Sequence, residues 1–203
     1  MSFDSHTPYA GTQAVLLAPR PEPVRGGEAP DEQSMTLILE AATRVPDHGG
    51  LRPWRFAVVS GTGRDDFGEA LVAGLHELRG EDVPPAAEQK MRQKAYAAPC
   101  AVMLIASPHA KSNVPLWEQV SSASCTGYAM VLAATSLGFG AVWKSAPVLD
   151  TAAVKDLFKL GEREQLLGWV NLGAAGEPSR KKDTASDEDV LTALVTYIGG
   201  SEA

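Results

Sequence analysis

The sequence predicts one domain of the α+β class, with a mixed sheet covered by helices on both faces. A chain of 203 residues, 44% of them hydrophobic, is long enough to bury one sizeable core. Segments with the helical spacing of apolar residues alternate loosely with short apolar runs, without the strict strand–helix–strand order of a parallel fold. No internal repeat or change of composition divides the chain, so a single domain over 1–203 is expected.

Charge and cysteine content exclude several classes of protein. The net charge of −7 argues against nucleic acid as the main partner, but it allows a small anionic ligand in a locally basic pocket. No apolar run is long enough to span a bilayer, and the N-terminus lacks a signal-peptide pattern, so we expect a cytoplasmic protein with no membrane partner. Cys100 and Cys125 are expected as buried free thiols, and their spacing predicts no metal site.

The N-terminal half is predicted to begin with a flexible arm over 1–13 and a loop rich in proline and glycine. The prolines of that loop forbid a central strand or a helix interior. A helix is then predicted from a Ser34 cap to about Arg44, because Pro46 disfavours helical geometry in the residue before it. The further elements predicted here are a strand at Trp54–Ser60, helices at Arg64–Arg79 and Ala86–Ala97, and a strand buried on both faces at Ala101–Ser107.

The C-terminal half is dominated by the proline-free segment Trp117–Leu137, which predicts one helix of about 30 Å. Its many small side chains indicate close packing, either at the centre of the fold or across a dimer axis, and Gly138 supplies its C-terminal cap. From residue 174 the chain turns polar and then apolar again, which predicts a tail that wraps over its own body or a partner subunit. The remaining predicted elements are an extended segment at Phe139–Lys144, a helix at Thr151–Phe158 capped by Asp150, and a strand at Gln165–Leu172.

The connection Arg44–Phe56 carries more polar chemistry than a turn needs. His48 can be a binding residue or a loop histidine bonded to local backbone. Arg44 can bind a ligand, or it can simply favour the dipole at the end of the preceding helix. A second basic and aromatic cluster, Trp143-Lys144-Ser145, again follows a helix and glycines, and Arg20 and Arg25 form a third. The three clusters together predict a pocket for a planar anionic ligand such as a flavin mononucleotide.

Other catalytic motifs are missing from the sequence. No GxGxxG opens a helix after a strand, and there is no P-loop, HExxH or GxSxG. Cys125 in SASCTG could be a nucleophile at a helix, but no feature pairs it with a histidine. A small core residue is therefore the favoured interpretation of Cys125.

Three segments in combination resemble the nitroreductase family, and most closely its small NAD(P)H nitroreductase subgroup. They are RVPDHGGLRPWRF at Arg44–Phe56, the stretch from VPLWEQ at Val114–Gln119 to GFGAVWKSA at Gly138–Ala146, and LLGWVNLG at Leu166–Gly173. PDH…PW with WEQ and GFG-x-x-W-K-S is a specific combination, and the resemblance covers about Val15 to Gly173 in matching order. It implies an α/β/α sandwich with a mostly antiparallel sheet, an obligate homodimer, and a tail that reaches the partner subunit.

The resemblance also implies a function and a set of binding positions. FMN would bind at the dimer interface, and a hydride would pass from NAD(P)H through the flavin to a nitro-compound, quinone or similar acceptor by ping-pong turnover. No side-chain acid or base is required, so no catalytic residue is assigned. The positions that correspond to FMN contacts are Arg20, Arg44, His48, Trp143, Lys144 and Ser145. The positions that correspond to contacts with the nicotinamide cofactor are Ala133, Ala134, Thr135, Ser136, Leu137 and Gly138.

One departure from the family pattern bears on FMN affinity. Family members carry an Arg-Arg-Ser run that holds the FMN phosphate, whereas this chain has Pro19-Arg20-Pro21. The loss of two hydrogen-bonding side chains costs on the order of 2–5 kcal/mol of binding free energy if nothing compensates. Arg25 or Arg52 can compensate. The alternative function is therefore a flavin-binding module with weak or no reductase turnover.

Overall fold

The computed structural model describes residues 11, 15–16, 21–80, 82–178, 194–196 and 198. Its described strands form a five-stranded sheet, and each pairing among them is antiparallel. Helices cover both faces, which confirms the α+β class with a layered arrangement. The elements are β1 (Pro21–Pro23), α1 (Glu32–Ala42), β2 (Trp54–Ser60), α2 (Gly63–Arg79), α3 (Pro85–Arg92), β3 (Cys100–Ala106), α4 (Leu116–Ser136), β4 (Phe139–Lys144), α5 (Ala152–Leu157) and β5 (Gln165–Pro178), with short 3-10 turns at His48–Gly50, Gln93–Tyr96 and Pro147–Asp150.

Strand β3 lies at the centre of the sheet and is buried along its whole length. It pairs with β2 on one side and with β5 on the other, and β5 pairs with β4 along its remaining edge. Since successive strand residues face opposite ways, Met103 and Ile105 join one core cluster while Val102 and Leu104 join the other. The continuous apolar run is thus confirmed as a strand buried on both faces.

The two helical layers fill the two faces of the sheet differently. On one face α2, α3 and α5 enclose an aromatic centre in which the Phe67 ring meets the rings of Phe158 and Trp169 edge-on, at 5.7 and 5.3 Å between centroids. On the other face α1 and α4 pack through buried Ile38 and Met130. The face covered by α1 and α4 is the one that positions the candidate site.

Two predicted helix caps are wrong, because other carboxylates reach the exposed amides. Helix α1 begins at Glu32, three residues earlier than a cap at Ser34 would allow. Its cap is Asp31, whose Oδ1 accepts from the Ser34 amide at 2.8 Å. At α5 the cap is Glu77 from α2, whose carboxylate accepts from the amides of Ala152 and Ala153, both at 2.8 Å. Asp150, the predicted cap, pairs instead with the Lys155 ammonium at 2.7 Å. A cap supplied from a distant helix is invisible to local sequence patterns.

Strand β1 corrects the prediction that the proline-rich stretch is only a loop. Its residues Pro21 and Pro23 pair with the end of β5, opposite Pro178 and Ala175. Because β1 is the last strand in the pairing order, the missing proline amides leave no central ladder incomplete. The first residues of the predicted tail, 174–178, continue β5. The rest of the tail and the arm over 1–13 lie outside the described residues, apart from Gly11, 194–196 and 198.

Both cysteines are free thiols, but only one is buried. Burial raises the pKa of Cys100 to about 11, so this thiol stays protonated and unreactive. The expectation of a buried core residue is wrong for Cys125, which faces outward on α4. Within the described ranges, no helix is long and apolar enough to cross a membrane.

An ion pair fixes the connection between α5 and β5 to strand β2. Arg55 donates from Nε and Nη2 to the two oxygens of Glu164, at 2.7 Å each, and Nη2 also donates to the carbonyls of Phe158 and Lys159. Glu164 Oε2 further accepts from the Gly161 amide at 2.9 Å. The hydrogen bonds from Arg55 hold the pKa of Glu164 at about 2, well below its usual range.

We predict that Glu164→Gln lowers the free energy of unfolding by about 1–3 kcal/mol at neutral pH, because the side chain is only 15% exposed and its partner loses a charged acceptor. A depressed carboxyl pKa stabilises the fold above the unfolded value near 4.5, and this contribution is lost as the pH falls towards about 2. Denaturant unfolding of both proteins at several pH values should show a constant difference above about pH 5 that shrinks in acid.

The matched control is Glu69→Gln. Glu69 makes the same two-bond contact with Arg92, at 2.7 and 3.1 Å, but its side chain is 65% exposed. Because solvent screens this exposed pair, we expect Glu69→Gln to leave the free energy of unfolding nearly unchanged at every pH. Equal losses in the two variants would contradict a special role for the Arg55–Glu164 pair.

Candidate functional site

Two of the predicted clusters, the connection Arg44–Phe56 and Trp143-Lys144-Ser145, form the two walls of the predicted pocket, and their strands point towards the same end of the sheet. The first residue of β2, Trp54, pairs with Ala106 at the end of β3, which pairs with Gln165 at the start of β5. On the other edge of β5, the last residue of β4, Lys144, pairs with Trp169. The connection before β2 and the residues after β4 therefore emerge in the same direction.

The connection before β2 is held in one shape by its own backbone and by Asp47. Gly49 and Gly50 have φ of 78° and 63°, and Arg52 has φ of 50°, a left-handed conformation that is costly for a residue with a side chain. Asp47 Oδ2 accepts from the Arg52 amide at 2.7 Å, which holds this strained residue in place. The Asp-His-Gly-Gly sequence thus presents His48 at the outer corner of a fixed turn.

His48 contacts the first turn of α4. Its Nδ1 lies 2.7 Å from Oε2 of Glu118, the middle residue of the WEQ motif, and its side chain is 68% exposed. The next residue, Gln119, is buried, and its amide joins the loop before α4 by accepting from the His109 amide and donating to the Val114 carbonyl. The local-backbone interpretation of His48 is therefore wrong, because its partner lies far away in the sequence.

Trp143 is a packing residue whose ring is enclosed by two glycines. A Cβ on Gly127 of α4 would lie 3.0 Å from Trp143 Cε3 and 2.5 Å from Leu104 Cδ1. A Cβ on Gly168 of β5, which has φ of 133°, would lie 2.5 Å from Trp143 Nε1. The register of β5 against β3 shifts at this point, so the bulge leaves room for the indole. Trp143 anchors the end of β4, and its two successors carry the exposed polar groups.

The polar side chains of the two walls differ in the number of hydrogen bonds and ion pairs that restrain them. The side chains of Arg44 and Ser145 are exposed and have no hydrogen bond in the described part of the chain. Lys144 Nζ makes one long contact of 3.7 Å with Glu22 Oε1 on β1. Arg55 differs, because Glu164 and two carbonyls occupy its guanidinium. Arg55 is therefore structural, although it lies within the polar connection Arg44–Phe56 that the sequence singles out.

The structure turns the two walls in the same direction but does not bring them into contact within one chain, since Lys144 of β4 is level with Ala57 in the middle of β2. β2 and β4 are separated by β3 and β5, and three strand spacings amount to about 14 Å. Arg20 lies outside the described residues, but β1 follows it directly, and Glu22 on β1 approaches Lys144. The predicted role of Arg20 in holding a phosphate therefore stays a prediction.

The segment predicted to meet the nicotinamide cofactor, Ala133–Gly138, lies at the far end of α4, about 30 Å from its first turn. Thr135 Oγ1 is buried there and has no hydrogen-bond partner among the described residues. A groove of about 470 Å³ beside Gly138 is lined by Glu28 and Asp31, and the helix C-terminus adds partial negative charge. Among the described residues that line this groove, none is a cation that could bind a nucleotide phosphate.

The sequence reasoning missed a cavity at the end of the sheet that carries the two walls. It encloses about 240 Å³ and is lined by Pro108, His109, Ser112, Val114, Gln119 and Arg163. It adjoins the turn at His48, since a Cβ on Gly49 would lie 3.6 Å from Val114 Cγ2. Arg163 belongs to no sequence motif, and only the fold brings it next to the loop before α4. In the described ranges no group of His, Cys, Asp and Glu side chains is arranged to hold a metal ion.

The fold and the site define a class of protein: an α+β layered domain with exposed cationic and hydrogen-bonding groups on two segments whose strands point towards the same end of an antiparallel sheet. A model of the Nitroreductase family matches residues 27–174. The chain is 33% identical over 170 residues to "Putative NAD(P)H nitroreductase YdjA" of Escherichia coli K12, covering 84% of this chain and 90% of that protein. A Haemophilus influenzae protein named "Putative NAD(P)H nitroreductase" is 30% identical with the same coverage. The chain belongs to the nitroreductase family, a family of oxidoreductases.

Solved structures agree with this fold. A nitroreductase-like protein from Bacillus cereus superposes with a TM-score of 0.73 at 18% identity, covering 98% of this chain and all of that one. The FMN-dependent nitroreductase NfnB of Mycobacterium smegmatis, solved with NADPH, gives 0.68 at 19% identity, over 93% and 98% of the two chains. A nitroreductase with bound FMN from Desulfitobacterium hafniense gives 0.62 at 22% identity, over the same fractions. At these identities the agreement concerns the fold.

We predict that Gly127→Ala lowers the free energy of unfolding by about 1–3 kcal/mol and moves the Trp143 indole, because the added methyl overlaps Leu104 and Trp143. Denaturant unfolding measures the loss, and near-ultraviolet circular dichroism reports the indole. Gly63→Ala at the start of α2 is the control, since its Cβ would meet only Val59 Cγ1, at 3.8 Å. A Gly127→Ala protein as stable as the control would contradict this close packing of α4.

Proposed function

We propose that this protein is an FMN-dependent oxidoreductase that transfers a hydride from NAD(P)H through the flavin to a nitro-compound, a quinone or a similar acceptor, by ping-pong turnover. Bound FMN would supply the redox chemistry, since its ring accepts and releases the hydride. The observation that carries the proposal is the set of exposed donors Arg44, His48, Lys144 and Ser145, on two segments whose strands point towards the same end of the sheet, in a chain of net charge −7. The names of the relatives support the same cofactors.

The donor set fits FMN in its chemistry. FMN presents a dianionic phosphate and several ring acceptors, which need cations and N–H or O–H donors. Arg44 and Ser145 keep their side-chain donors free in the described part of the chain, and Lys144 is held only by a long contact of 3.7 Å. We assign Arg44 and Lys144 the electrostatic role of stabilising negative charge on the ligand, and Ser145 a hydrogen bond. Trp143 fixes the backbone that carries Lys144 and Ser145.

We further propose that the site is shared by two subunits of a homodimer. The spacing of about 14 Å between the outer strands leaves the two walls apart in one chain. A twofold axis would place the wall from one subunit opposite the other wall from its partner. Trp117 and Tyr128 on α4 are 69% and 48% exposed, which supports a surface that a second copy covers. The assignment of Ala133–Gly138 to the nicotinamide cofactor also depends on a partner, since the charged side chains that line the adjoining groove in the described part of the chain are acidic.

FMN titration of the purified protein tests the site. We expect binding that quenches flavin fluorescence, and Arg44→Ala and Lys144→Ala should each weaken it by about ten- to hundredfold through loss of a charge-assisted contact. Arg79→Ala is the control, because Arg79 is an exposed arginine on α2, on the opposite face of the sheet. Light scattering of the same samples should give the mass of a dimer. A monomer that binds no FMN would refute both the cofactor and the shared site.

A second candidate function is flavin binding without efficient turnover. Its support is Pro19-Arg20-Pro21 in place of Arg-Arg-Ser, because Pro21 offers a phosphate neither a hydroxyl nor a backbone N–H. Anaerobic mixing of the FMN-loaded protein with NADPH and with NADH separates the two candidates. Rapid bleaching of the flavin absorbance, followed by recovery on adding a quinone or a nitro-compound, is expected for the oxidoreductase. Stable yellow colour with both nucleotides would establish the binding module instead.

A further inference from the structure

Glu118 belongs to the WEQ motif, and none of the functions proposed above assigns it a role. It occupies the third position of α4, where a glutamate commonly bonds back to the amide of the residue that caps the helix. Here the cap is Pro115, which has no N–H, so that bond is impossible. The carboxylate turns away from its own helix and lies 2.7 Å from His48 Nδ1.

This contact determines which nitrogen of His48 carries a hydrogen. An ionised carboxylate only accepts hydrogen bonds, so the partner nitrogen must donate, and Nδ1 therefore holds a hydrogen. His48 Nε2 has no partner in the described part of the chain, and the side chain is 68% exposed while Glu118 is 27% exposed. Nε2 is the one ring nitrogen left for a ligand, and the bond to Glu118 fixes its direction.

The backbone of the turn cannot supply this orientation by itself. His48 is followed by Gly49 and Gly50, both at positive φ, and neither carries a side chain that could restrain the imidazole. Asp47 is committed to the Arg52 amide. Glu118 is thus the side chain that links the turn to the rigid end of α4.

We propose that Glu118 is a positioning residue of the cofactor site: it holds the His48 imidazole in the Nδ1–H form, so that Nε2 faces the flavin. The proposal rests on the proposed function, but the state of the ring can be measured without any flavin. A merely structural Glu118 would stabilise the first turn of α4 and leave the position of the imidazole hydrogen unconstrained.

The chain supplies a closely matched control pair. Glu88 lies in the first turn of α3, which also follows a proline cap, and its Oε1 lies 2.8 Å from His76 Nε2. Glu88 is 30% exposed, close to the 27% of Glu118, while His76 at 36% is less exposed than His48 at 68%, and the control pair lies on the opposite face of the sheet. Like Glu118→Leu, the substitution Glu88→Leu removes a first-turn acid that contacts a histidine, but it does so far from the candidate site.

The first test reads the ring directly. Long-range proton–nitrogen correlation spectra of the labelled protein, recorded without FMN at about pH 8.5, distinguish a protonated from an unprotonated ring nitrogen. The chain has four histidines, so His48→Gln identifies the signals of His48. We expect hydrogen on Nδ1 in the wild type and its redistribution to Nε2 in Glu118→Leu, with no change in Glu88→Leu. Hydrogen on Nε2 in the wild type, or a ring unchanged by Glu118→Leu, would overturn the proposal.

The second test reads the consequence for the cofactor. Glu118→Leu and His48→Gln should each weaken FMN binding by about three- to tenfold, and the double variant should bind no worse than His48→Gln alone, because Glu118 acts through the histidine. Glu88→Leu should leave the affinity within about twofold of the wild type. Additive losses in the double variant would refute positioning through His48 while leaving FMN binding intact. A wild-type protein without FMN affinity would instead refute the proposed function, and with it the flavin role of Glu118.

Discussion

The indole of Trp143 lies between Gly127 of α4 and Gly168 of β5, and the geometry of the candidate site depends on this contact. The two glycines let the helix and the bulged strand approach a large ring that neither would tolerate with a side chain of its own. The ring then fixes the end of β4, from which Lys144 and Ser145 emerge. Because α4 is held by the same contact, its first turn also has a defined position relative to the sheet. Glu118 lies in that first turn and contacts His48, so the position of both residues relative to the sheet is defined as well.

The basic residues near the candidate site differ in whether a partner compensates their charge. Arg55 is held through Nε and Nη2 by Glu164 and by two carbonyls, so its charge is compensated and it joins the α5–β5 connection to β2. Arg44 and Lys144 keep their charge at the surface with little or no compensation in the described part of the chain. In a protein of net charge −7, these exposed cations create a local field that suits an anion.

The topology explains why one chain would not complete the site. In an antiparallel sheet the start of β2 and the end of β4 point the same way, but these strands are the two outer members of the β2-β3-β5-β4 order. The predicted nicotinamide segment is further still, because α4 carries it about 30 Å to the opposite end. The proposed dimer would bridge both separations with one symmetry operation, which is why the oligomeric state and the cofactor are tied together in the proposed function.

The sequence by itself determined the core elements and the family. The apolar run of β3, the proline-free length of α4 and the left-handed Gly138 are local signals, and local propensity with burial was enough to predict them. Tertiary structure alone decided the contacts between distant residues. Only in the folded chain does His48 contact Glu118, Arg55 bind Glu164 and Glu77 cap α5. The fold also leaves Cys125 exposed. The physical reason is that a side chain chooses its partner in space, and helices and strands bring together residues that no sequence pattern links.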